Sequence, residues 1–178
     1  MKILKPFALF ICAVCAFFPA AVPALEAAPV RAAKKAPAAT KENWQELFAD
    51  GLFSADGKPV PLSALTSKKF IGVYSSASWC GPCKAFTPEL IAFYKKNKGK
   101  IEIVLLGADR DQEAVFKYMK DHGMTWLAAK RGSGVIQRFS IRHDIKGIPD
   151  FRVFKKNGEL LVADGRNLAA VRAAIDGK

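Results

Sequence analysis

The sequence contains few residues of the kinds that build metal centres or disulfide frameworks. Its 178 residues include four cysteines and two histidines. The histidines, His122 and His143, are not spaced as the ligands of a zinc finger are. We therefore interpret both as surface residues, and we expect neither a metal nor a cofactor. Stability must come from an ordinary apolar core, which 51% hydrophobic residues can supply.

Acidic residues are scarce relative to basic ones. Lysine and arginine number 28 against 16 aspartates and glutamates, and the net charge is +12. The basic residues are scattered and are not clustered with aromatic residues as in a nucleic-acid-binding module. We therefore expect no nucleic-acid partner. The simplest interpretation is a solvated positive surface, while attraction to anionic envelope surfaces or to acidic proteins stays open.

The apolar run at residues 7–18 is too short to span a bilayer comfortably, because a spanning helix takes about 20 apolar residues. Lys2 and Lys5 precede this run, and Val22 and Ala24 follow it at the positions that a signal peptidase reads. The pattern predicts a secretory signal peptide at residues 1–24 and a periplasmic or other extracytoplasmic location. An uncleaved N-terminal anchor is the alternative.

Two of the four cysteines, Cys12 and Cys15, lie inside this apolar run. Neither follows the small residue that lipidation usually requires, so we interpret both as small hydrophobic residues of the signal. Once the signal is removed, only Cys80 and Cys83 are left. An exported protein with two such closely spaced cysteines has no disulfide framework, and this favours a reactive role for the pair.

Residues 25–41 are rich in alanine, proline and lysine and show no apolar periodicity. This composition predicts a disordered leader. The folded domain is expected over residues 42–178, beginning with a short helical face formed by Trp44, Leu47 and Phe48.

Within that domain, strands and helices are predicted to alternate. A hairpin is expected across residues 52–54 and 60–62, either at a sheet edge or outside the main sheet, because Pro59 and Pro61 cannot donate to a strand ladder. Main strands are predicted at 70–74, 101–106, 151–154 and 160–162. Four helices are predicted. The first begins at Gly81 and should have a kink at Pro88. The second follows a cap at Asp109 or Asp111, the third begins at Ser133, and the fourth follows a cap at Asn167.

The buried faces expected for these four helices are Phe86, Leu90, Phe93 and Tyr94; Val115, Phe116 and Met119; Val135, Ile136 and Phe139; and Leu168, Val171 and Ile175. The element order predicts an α/β fold with a central mixed β-sheet flanked by helices on both faces. Its first two main strands should pair in parallel through a right-handed crossover, and its last two should form an antiparallel hairpin.

The segment 79–84 reads Trp-Cys-Gly-Pro-Cys-Lys and lies between a predicted strand and a predicted helix. Two thiols separated by two residues can form and break a disulfide, which is two-electron chemistry without a cofactor. Unpaired N–H groups and the positive end of the macrodipole at a helix start favour thiolate over thiol. A purely structural disulfide and half of a zinc site are the alternatives for Cys80 and Cys83.

This motif, Pro88 five residues after the second cysteine, and Gly147-Ile148-Pro149 ahead of an Asn-Gly hairpin together resemble thioredoxin. Longer matches at residues 74–79, 86–90, 101–104 and 109–111 resemble the nucleoredoxin and tryparedoxin-like branch of that family. The resemblance covers roughly residues 52–175 and implies a thioredoxin-like fold.

The resemblance also implies roles for individual residues. Cys80 would be the exposed nucleophile and Cys83 the more buried resolving thiol. Trp79 would pack beside the sulfurs, with Gly81, Pro82 and Lys84 completing the surround. Pro149 would be a cis-proline facing the sulfurs, and the backbone around Ile148 would pair with a substrate chain.

Two positions depart from thioredoxin proper. Tyr74 stands where thioredoxin has a buried aspartate that helps to move the proton of the resolving thiol. The nucleoredoxin-like branch also has a tyrosine at this position. Asp150 replaces a small hydroxylic residue directly after the expected cis-proline. Its carboxylate would raise the pKa of Cys80 by like-charge repulsion and steer basic substrates, unless it points to solvent.

The resulting prediction is an exported thiol–disulfide oxidoreductase that acts on disulfide-containing proteins and is a monomer. The Gly-Pro spacer is the one found in reducing members of the family and favours a disulfide reductase, which would need a membrane electron donor. A disulfide oxidant or isomerase is the first alternative, because spacing does not set the reduction potential. A thiol-based metal-delivery module is the second.

Overall fold

The computed structural model describes residues 41–177 of the chain. The predicted signal peptide and, except for Lys41, the predicted leader lie outside these residues. The described elements are, in chain order, α1 (Trp44–Leu47), β1 (Leu52–Phe53), β2 (Pro59–Val60), α2 (Leu62–Thr66), β3 (Phe70–Ser76), α3 (Gly81–Asn97), β4 (Ile101–Gly107), α4 (Gln112–His122), β5 (Leu127–Ala129), α5 (Val135–Arg142), β6 (Asp150–Lys155), β7 (Leu160–Val162) and α6 (Leu168–Asp176).

The strands form one mixed sheet in the order β2-β1-β5-β4-β3-β6-β7. Strand β4 pairs in parallel with β3 on one side and with β5 on the other, whereas β6 is antiparallel to both β3 and β7. The predicted parallel pairing of the first two main strands and the predicted final hairpin are both confirmed. Of the two placements expected for the early hairpin, the structure has the one at the sheet edge, with β2 as the outermost strand.

Helices cover both faces of the sheet, as predicted. On one face, α3, α4 and α6 pack on alternate side chains of the central strands, including Tyr74, Ile103 and Phe151. On the opposite face, α1, α2 and α5 pack on the intervening side chains, such as Ile71 and Val104. This period of two is the reason that β3 and β4 read as unbroken apolar runs, since both of their faces are buried.

Several details differ from the sequence-based expectation. The short elements α2 and β5 were not predicted. Asp111, not Asp109, caps α4 by accepting from the N–H of Ala114 at 2.8 Å. Helix α5 begins at Val135, after Gly134 in a left-handed conformation, and not at Ser133 as predicted.

Helix α3 runs through Pro88 from Gly81 to Asn97 as a single helix. On α4 the buried aromatic is Tyr118, and the predicted core residue Phe116 is half-buried against Phe53.

The start of the domain is fixed by an ion cluster. The buried carboxylate of Glu42 lies 2.6 Å from Nε2 of His143 and 2.9 Å from a guanidinium nitrogen of Arg142. The backbone N–H of Glu42 also donates to the carbonyl of Gly158 at 2.8 Å. The interpretation of His143 as a surface residue is therefore wrong, because its side chain is almost wholly buried between this carboxylate and two phenylalanine rings.

No helix within residues 41–177 is both long and apolar enough to cross a membrane.

Candidate active site

The two cysteines lie where β3 gives way to α3. Cys80 is the N-cap residue of α3, with an extended backbone, and its sulfur accepts a hydrogen bond from the N–H of Cys83 at 3.2 Å. The two sulfurs are joined in a disulfide at 2.12 Å. Cys80 keeps 6% of its surface exposed and Cys83 none. The sulfur of Cys80 thus occupies the position at which an N-terminal N–H group stabilises negative charge.

The residues that flank the cysteines are exposed, although Cys80 itself, expected to be the exposed nucleophile, is largely buried. Gly81 and Pro82 form the exposed first turn of α3, where the missing N–H of a proline removes no helical hydrogen bond. Lys84 is exposed one residue beyond Cys83. Trp79, expected to pack beside the sulfurs, is 67% exposed.

The antiparallel pairing of β6 with β3 brings the Gly-Ile-Pro segment to the dithiol. Ser75 pairs with Asp150, so the residues just before Asp150 lie next to the end of β3. The Ile148–Pro149 bond is cis. The carbonyl oxygen of Ile148 is 3.8 Å from the sulfur of Cys80, and its side chain packs on the small cluster of Ala77, Cys80 and Cys83. The structure therefore brings together two residues that lie 68 positions apart in the sequence.

A buried cluster of four hydroxyl groups lies behind Cys83. Thr87 donates to the carbonyl of Cys83 at 2.8 Å and lies 3.0 Å from the hydroxyl of Tyr74. Ser76 donates to Tyr74 at 3.0 Å and lies 3.0 Å from the hydroxyl of Tyr118. Longer contacts of 3.2–3.3 Å join Thr87 to Tyr118 and Tyr74 to the Cys83 carbonyl.

The number of protons gives this cluster a direction. Each hydroxyl can donate once, and the four shortest contacts use all four protons in one chain, from Tyr118 to Ser76, to Tyr74, to Thr87 and then to the Cys83 carbonyl. Such aligned bonds polarise one another. Burial raises the pKa of Tyr74 to about 12, so its hydroxyl stays neutral at neutral pH. It therefore differs from the aspartate of thioredoxin at this position, whose carboxyl can ionise.

Sequence reasoning found Tyr74 but missed the other three members of this chain. A signal was present in each case. Thr87 lies four residues after Cys83 on the same helix face, and Ser76 ends an apolar strand. Tyr118 follows Val115 at the helical spacing of a core position. Polar side chains at buried positions need partners, but only the fold reveals that they satisfy one another.

Asp150 does not point to open solvent. Its side chain is 15% exposed, and its carboxylate lies 3.1 Å from Nε of Arg152. Burial raises the pKa of the Asp150 carboxyl above its usual value of 3.8, although the hydrogen bond and charge of Arg152 oppose that change. Asp150 directly follows the cis-proline, and its carboxylate is paired with the largely buried guanidinium of Arg152, two residues further along β6.

No group of three or more histidine, cysteine and carboxylate side chains within residues 41–177 is arranged to hold a metal ion. The chemistry that the described site offers is exchange between sulfurs: a disulfide that can open, a helix start that stabilises the first thiolate, and a covered second sulfur that can close the ring again. These features define the class of protein as a thiol–disulfide oxidoreductase.

Comparison with known proteins gives the family. A family model described as thioredoxin-like matches residues 68–160, just over half of the chain, and the chain belongs to that family. The protein named probable nucleoredoxin 3 from Oryza sativa subsp. japonica is 39% identical over 101 residues, which cover 55% of this chain and 21% of that protein. The first curated relatives are matched over only 20–32% of their own length.

Solved structures are matched more completely. Thioredoxin from Wuchereria bancrofti has a TM-score of 0.61 and 32% identity, with 72% of this chain and 86% of that one covered. Tryparedoxin II of C. fasciculata, solved in complex with glutathionylspermidine, has a TM-score of 0.63 and 26% identity, with 74% and 95% covered. The predicted thioredoxin-like fold and the predicted kinship with nucleoredoxin and tryparedoxin are therefore confirmed.

Proposed function

We propose that this protein reduces disulfide bonds in other proteins through the Cys80–Cys83 pair. The thiolate of Cys80 attacks one sulfur of a substrate disulfide, forms a mixed disulfide and releases the other substrate sulfur as a thiolate that takes up a proton. Cys83, once deprotonated, attacks the sulfur of Cys80, closes the Cys80–Cys83 disulfide and releases the second substrate thiol. Two electrons pass from the protein to the substrate in each cycle.

The observation that carries this proposal is the hydrogen bond from the N–H of Cys83 to the sulfur of Cys80, at 3.2 Å. A sulfur that caps a helix is stabilised as a thiolate, and the thiolate is the nucleophile in disulfide exchange. The 3.8 Å approach of the Ile148 carbonyl to the same sulfur leaves a backbone acceptor beside the reacting atom. An extended substrate segment can hydrogen-bond there while its disulfide reaches Cys80.

Insulin-disulfide reduction with dithiothreitol as the electron source tests the activity. We expect turnover by the wild-type protein and none above background by Cys80→Ser. Cys83→Ser, reduced beforehand, freed of dithiothreitol and then mixed with insulin, should instead accumulate a mixed disulfide, because the first attack still occurs and no thiol is present to resolve it. Wild-type turnover no faster than that of Cys80→Ser would refute the proposal.

The reducing direction is part of the proposal. The Gly-Pro spacer supports it by resemblance, and the alternative of an oxidant or isomerase depends on the reduction potential. A tenfold change in the exchange equilibrium corresponds to about 30 mV for this two-electron couple. Equilibration of the purified protein with glutathione buffers measures the potential, and a value well above that of the glutathione pool would favour the oxidant.

We also propose that the protein is exported, acts as a monomer and receives electrons from a membrane protein. The basic residues Lys2 and Lys5, the apolar run at 7–18 and the small-residue pattern ending at Ala24 support export. Fractionation of cells that express the full chain, with mass measurement of the N terminus, tests this. A protein that stays in the cytoplasm with residues 1–24 intact would contradict export, and light scattering of the purified protein tests the monomer.

Tryparedoxin II, whose structure matches 74% of this chain, was solved in complex with glutathionylspermidine. This similarity supports glutathione conjugates as a second class of substrate. Oxidised glutathione offered in place of insulin distinguishes the two classes. A kcat/KM for oxidised glutathione above that for insulin would make the low-molecular-weight disulfide the preferred substrate.

A further inference from the structure

A buried carboxylate holds the loop that leads into the catalytic cysteines. Asp109 follows the C-terminal end of β4 and is buried. Its Oδ1 atom accepts two hydrogen bonds from Ser78, one from the backbone N–H at 3.0 Å and one from the hydroxyl at 2.6 Å. Its Oδ2 atom is buried and has no hydrogen-bond partner among the described residues. Asp109 therefore holds the loop through hydrogen bonds to a single carboxylate oxygen, Oδ1.

The segment that Asp109 holds, residues 76–80, connects β3 to α3 and is held at three successive points. The N–H of Ala108 donates to the carbonyl of Ser76 at 2.8 Å, Asp109 holds Ser78, and the N–H of Cys80 donates to the carbonyl of Ala77 at 3.2 Å. The side chain of Ala108 also packs against the cysteine cluster. Two adjacent residues of the β4 end thus hold the chain immediately before the nucleophile.

Asp109 is itself fixed independently of α3. Nε of Arg131 donates to the backbone carbonyl of Asp109. The N–H of Arg131 in turn donates to the side-chain oxygen of Gln112 at 2.6 Å. Arg131, in the loop after β5, therefore supports the backbone of Asp109 and is itself held by Gln112 in the first turn of α4.

The position of Cys80 depends on this support. Its sulfur is stabilised as a thiolate only while it lies within hydrogen-bond distance of the Cys83 N–H, and that distance is set by the backbone of residues 78–80 as well as by α3. Hydrogen bonds to a carboxylate are about twice as strong as neutral ones, so Asp109 is suited to keep a loop of otherwise irregular structure in one conformation.

We infer that Asp109 is a positioning residue for the nucleophile: through Ser78 it sets the loop that places the Cys80 sulfur at the helix start. The inference rests on the proposed function, since it concerns the reactivity of Cys80 in disulfide exchange. Asp109 does not touch the reacting sulfurs and acts through Ser78.

For the variant Asp109→Ala, loss of positioning and loss of charge predict changes of opposite sign in the pKa of Cys80. A carboxylate near a thiol raises the thiol pKa, so removal of its charge alone would lower the pKa of Cys80. Loss of positioning would raise it, because the sulfur would move away from the N–H that stabilises its charge. Asp109→Ala removes both charge and grip, whereas Asp109→Asn removes the charge and keeps an oxygen that can accept from Ser78.

The test is the pKa of Cys80 in the reduced full-length protein, measured by thiolate ultraviolet absorbance and by the pH dependence of alkylation. For Asp109→Ala we expect a pKa higher by about one pH unit, which lowers the thiolate fraction about tenfold at a pH below both values. For Asp109→Asn we expect a pKa equal to or lower than that of the wild type. Ser78→Ala, which keeps the N–H contact, should shift the pKa in the direction of Asp109→Ala by a smaller amount and serves if Asp109→Ala does not fold.

Asp111→Ala is the matched control. Asp111 lies two residues on and caps α4 through Ala114, so its loss should lower the melting temperature and leave the pKa of Cys80 unchanged. An unchanged or lowered Cys80 pKa in folded Asp109→Ala would overturn the inference, as would an equal rise in Asp111→Ala or in Asp109→Asn. These comparisons are made against the wild type, so they are distinct from failure of the proposed function, in which wild-type Cys80 itself would react as an ordinary thiol.

Discussion

The hydroxyl of Tyr74 lies 3.3 Å from the carbonyl oxygen of Cys83 and 3.0 Å from the hydroxyl of Thr87. A phenol on β3 thus supports the first turn of α3, the helix that begins at the two cysteines. It does so as a neutral group, because its pKa is raised to about 12 by burial.

Tyr74→Phe should therefore lower the stability of the protein. The substitution removes the middle member of the hydroxyl chain and leaves Ser76 and Thr87 with fewer partners in a buried site, at a cost of about 1–3 kcal/mol. Urea denaturation of the oxidised protein measures it. Tyr118→Phe, which removes only the outer member of the chain, should cost less, and equal losses for the two variants would contradict the directional chain.

Cys80 should have a lower pKa than an ordinary thiol. Its sulfur accepts from the N–H of Cys83 at the start of α3, and such sites lower the pKa of cysteine from about 8.5 to between about 3.5 and 7.5. The rate of iodoacetamide alkylation against pH measures this value. The control is a peptide with the sequence of residues 79–84, and an equal pKa in protein and peptide would rule out activation by the fold.

Asp150→Asn should change the pH dependence of stability. The folded-state pKa of Asp150 is raised above its ordinary value of 3.8 because the carboxyl is largely buried. The native state therefore binds the proton more tightly, so the stability that Asp150 contributes is full below 3.8 and is lost as the pH rises through the raised value. The Asn variant lacks this decline. Its unfolding free energy should gain on that of the wild type across this range.

Asp164→Asn provides a control of opposite sign. Hydrogen bonds from Arg166 lower the pKa of Asp164 to about 2, so the carboxylate contributes stability above the ordinary value, which is lost as the pH falls toward about 2. The effect should be small because both partners are exposed. Parallel pH profiles of unfolding free energy for the Asp150 and Asp164 variants would contradict the assignment.

Asp150→Asn also tests whether the Asp150 carboxylate raises the pKa of Cys80 by like-charge repulsion. We expect the pKa of Cys80 to be lower in this variant than in the wild type, and an unchanged value would rule out that role.

Gly158→Ala should destabilise the domain by at least about 2 kcal/mol, since an alanine is strained at positive φ and overfills a packed site. Gly158 has a φ of +85°, and a Cβ there would lie 2.0 Å from the backbone oxygen of Glu42. Thermal unfolding measures the loss. Gly99→Ala is the control, because a Cβ at residue 99 meets nothing within 4 Å, and a comparable loss there would show that Gly158 is not special.

The long elements were predictable because each carries its own pattern. The apolar runs of β3 and β4, the stripe from Phe86 to Tyr94 on α3 and the Asn-Gly turn before β7 are each visible within a few residues of sequence. The missed elements are short. Strand β5 has three residues, two of them alanine, and α2 has five residues after a proline. Neither is long enough to show a periodicity, and both form because neighbouring elements cover them.

The site divides in the same way. The sequence alone determined the dithiol, its place at a helix start and the Gly-Ile-Pro segment, because spacing and local propensity are properties of short stretches of chain. Only the tertiary structure decided that Asp109 holds Ser78, that Thr87, Ser76 and Tyr118 join Tyr74 in one chain of hydrogen bonds, and that His143 is buried against Glu42. These contacts join residues from different elements, and a polar side chain in such a place is specified by the partner that the fold brings to it, which no local pattern records.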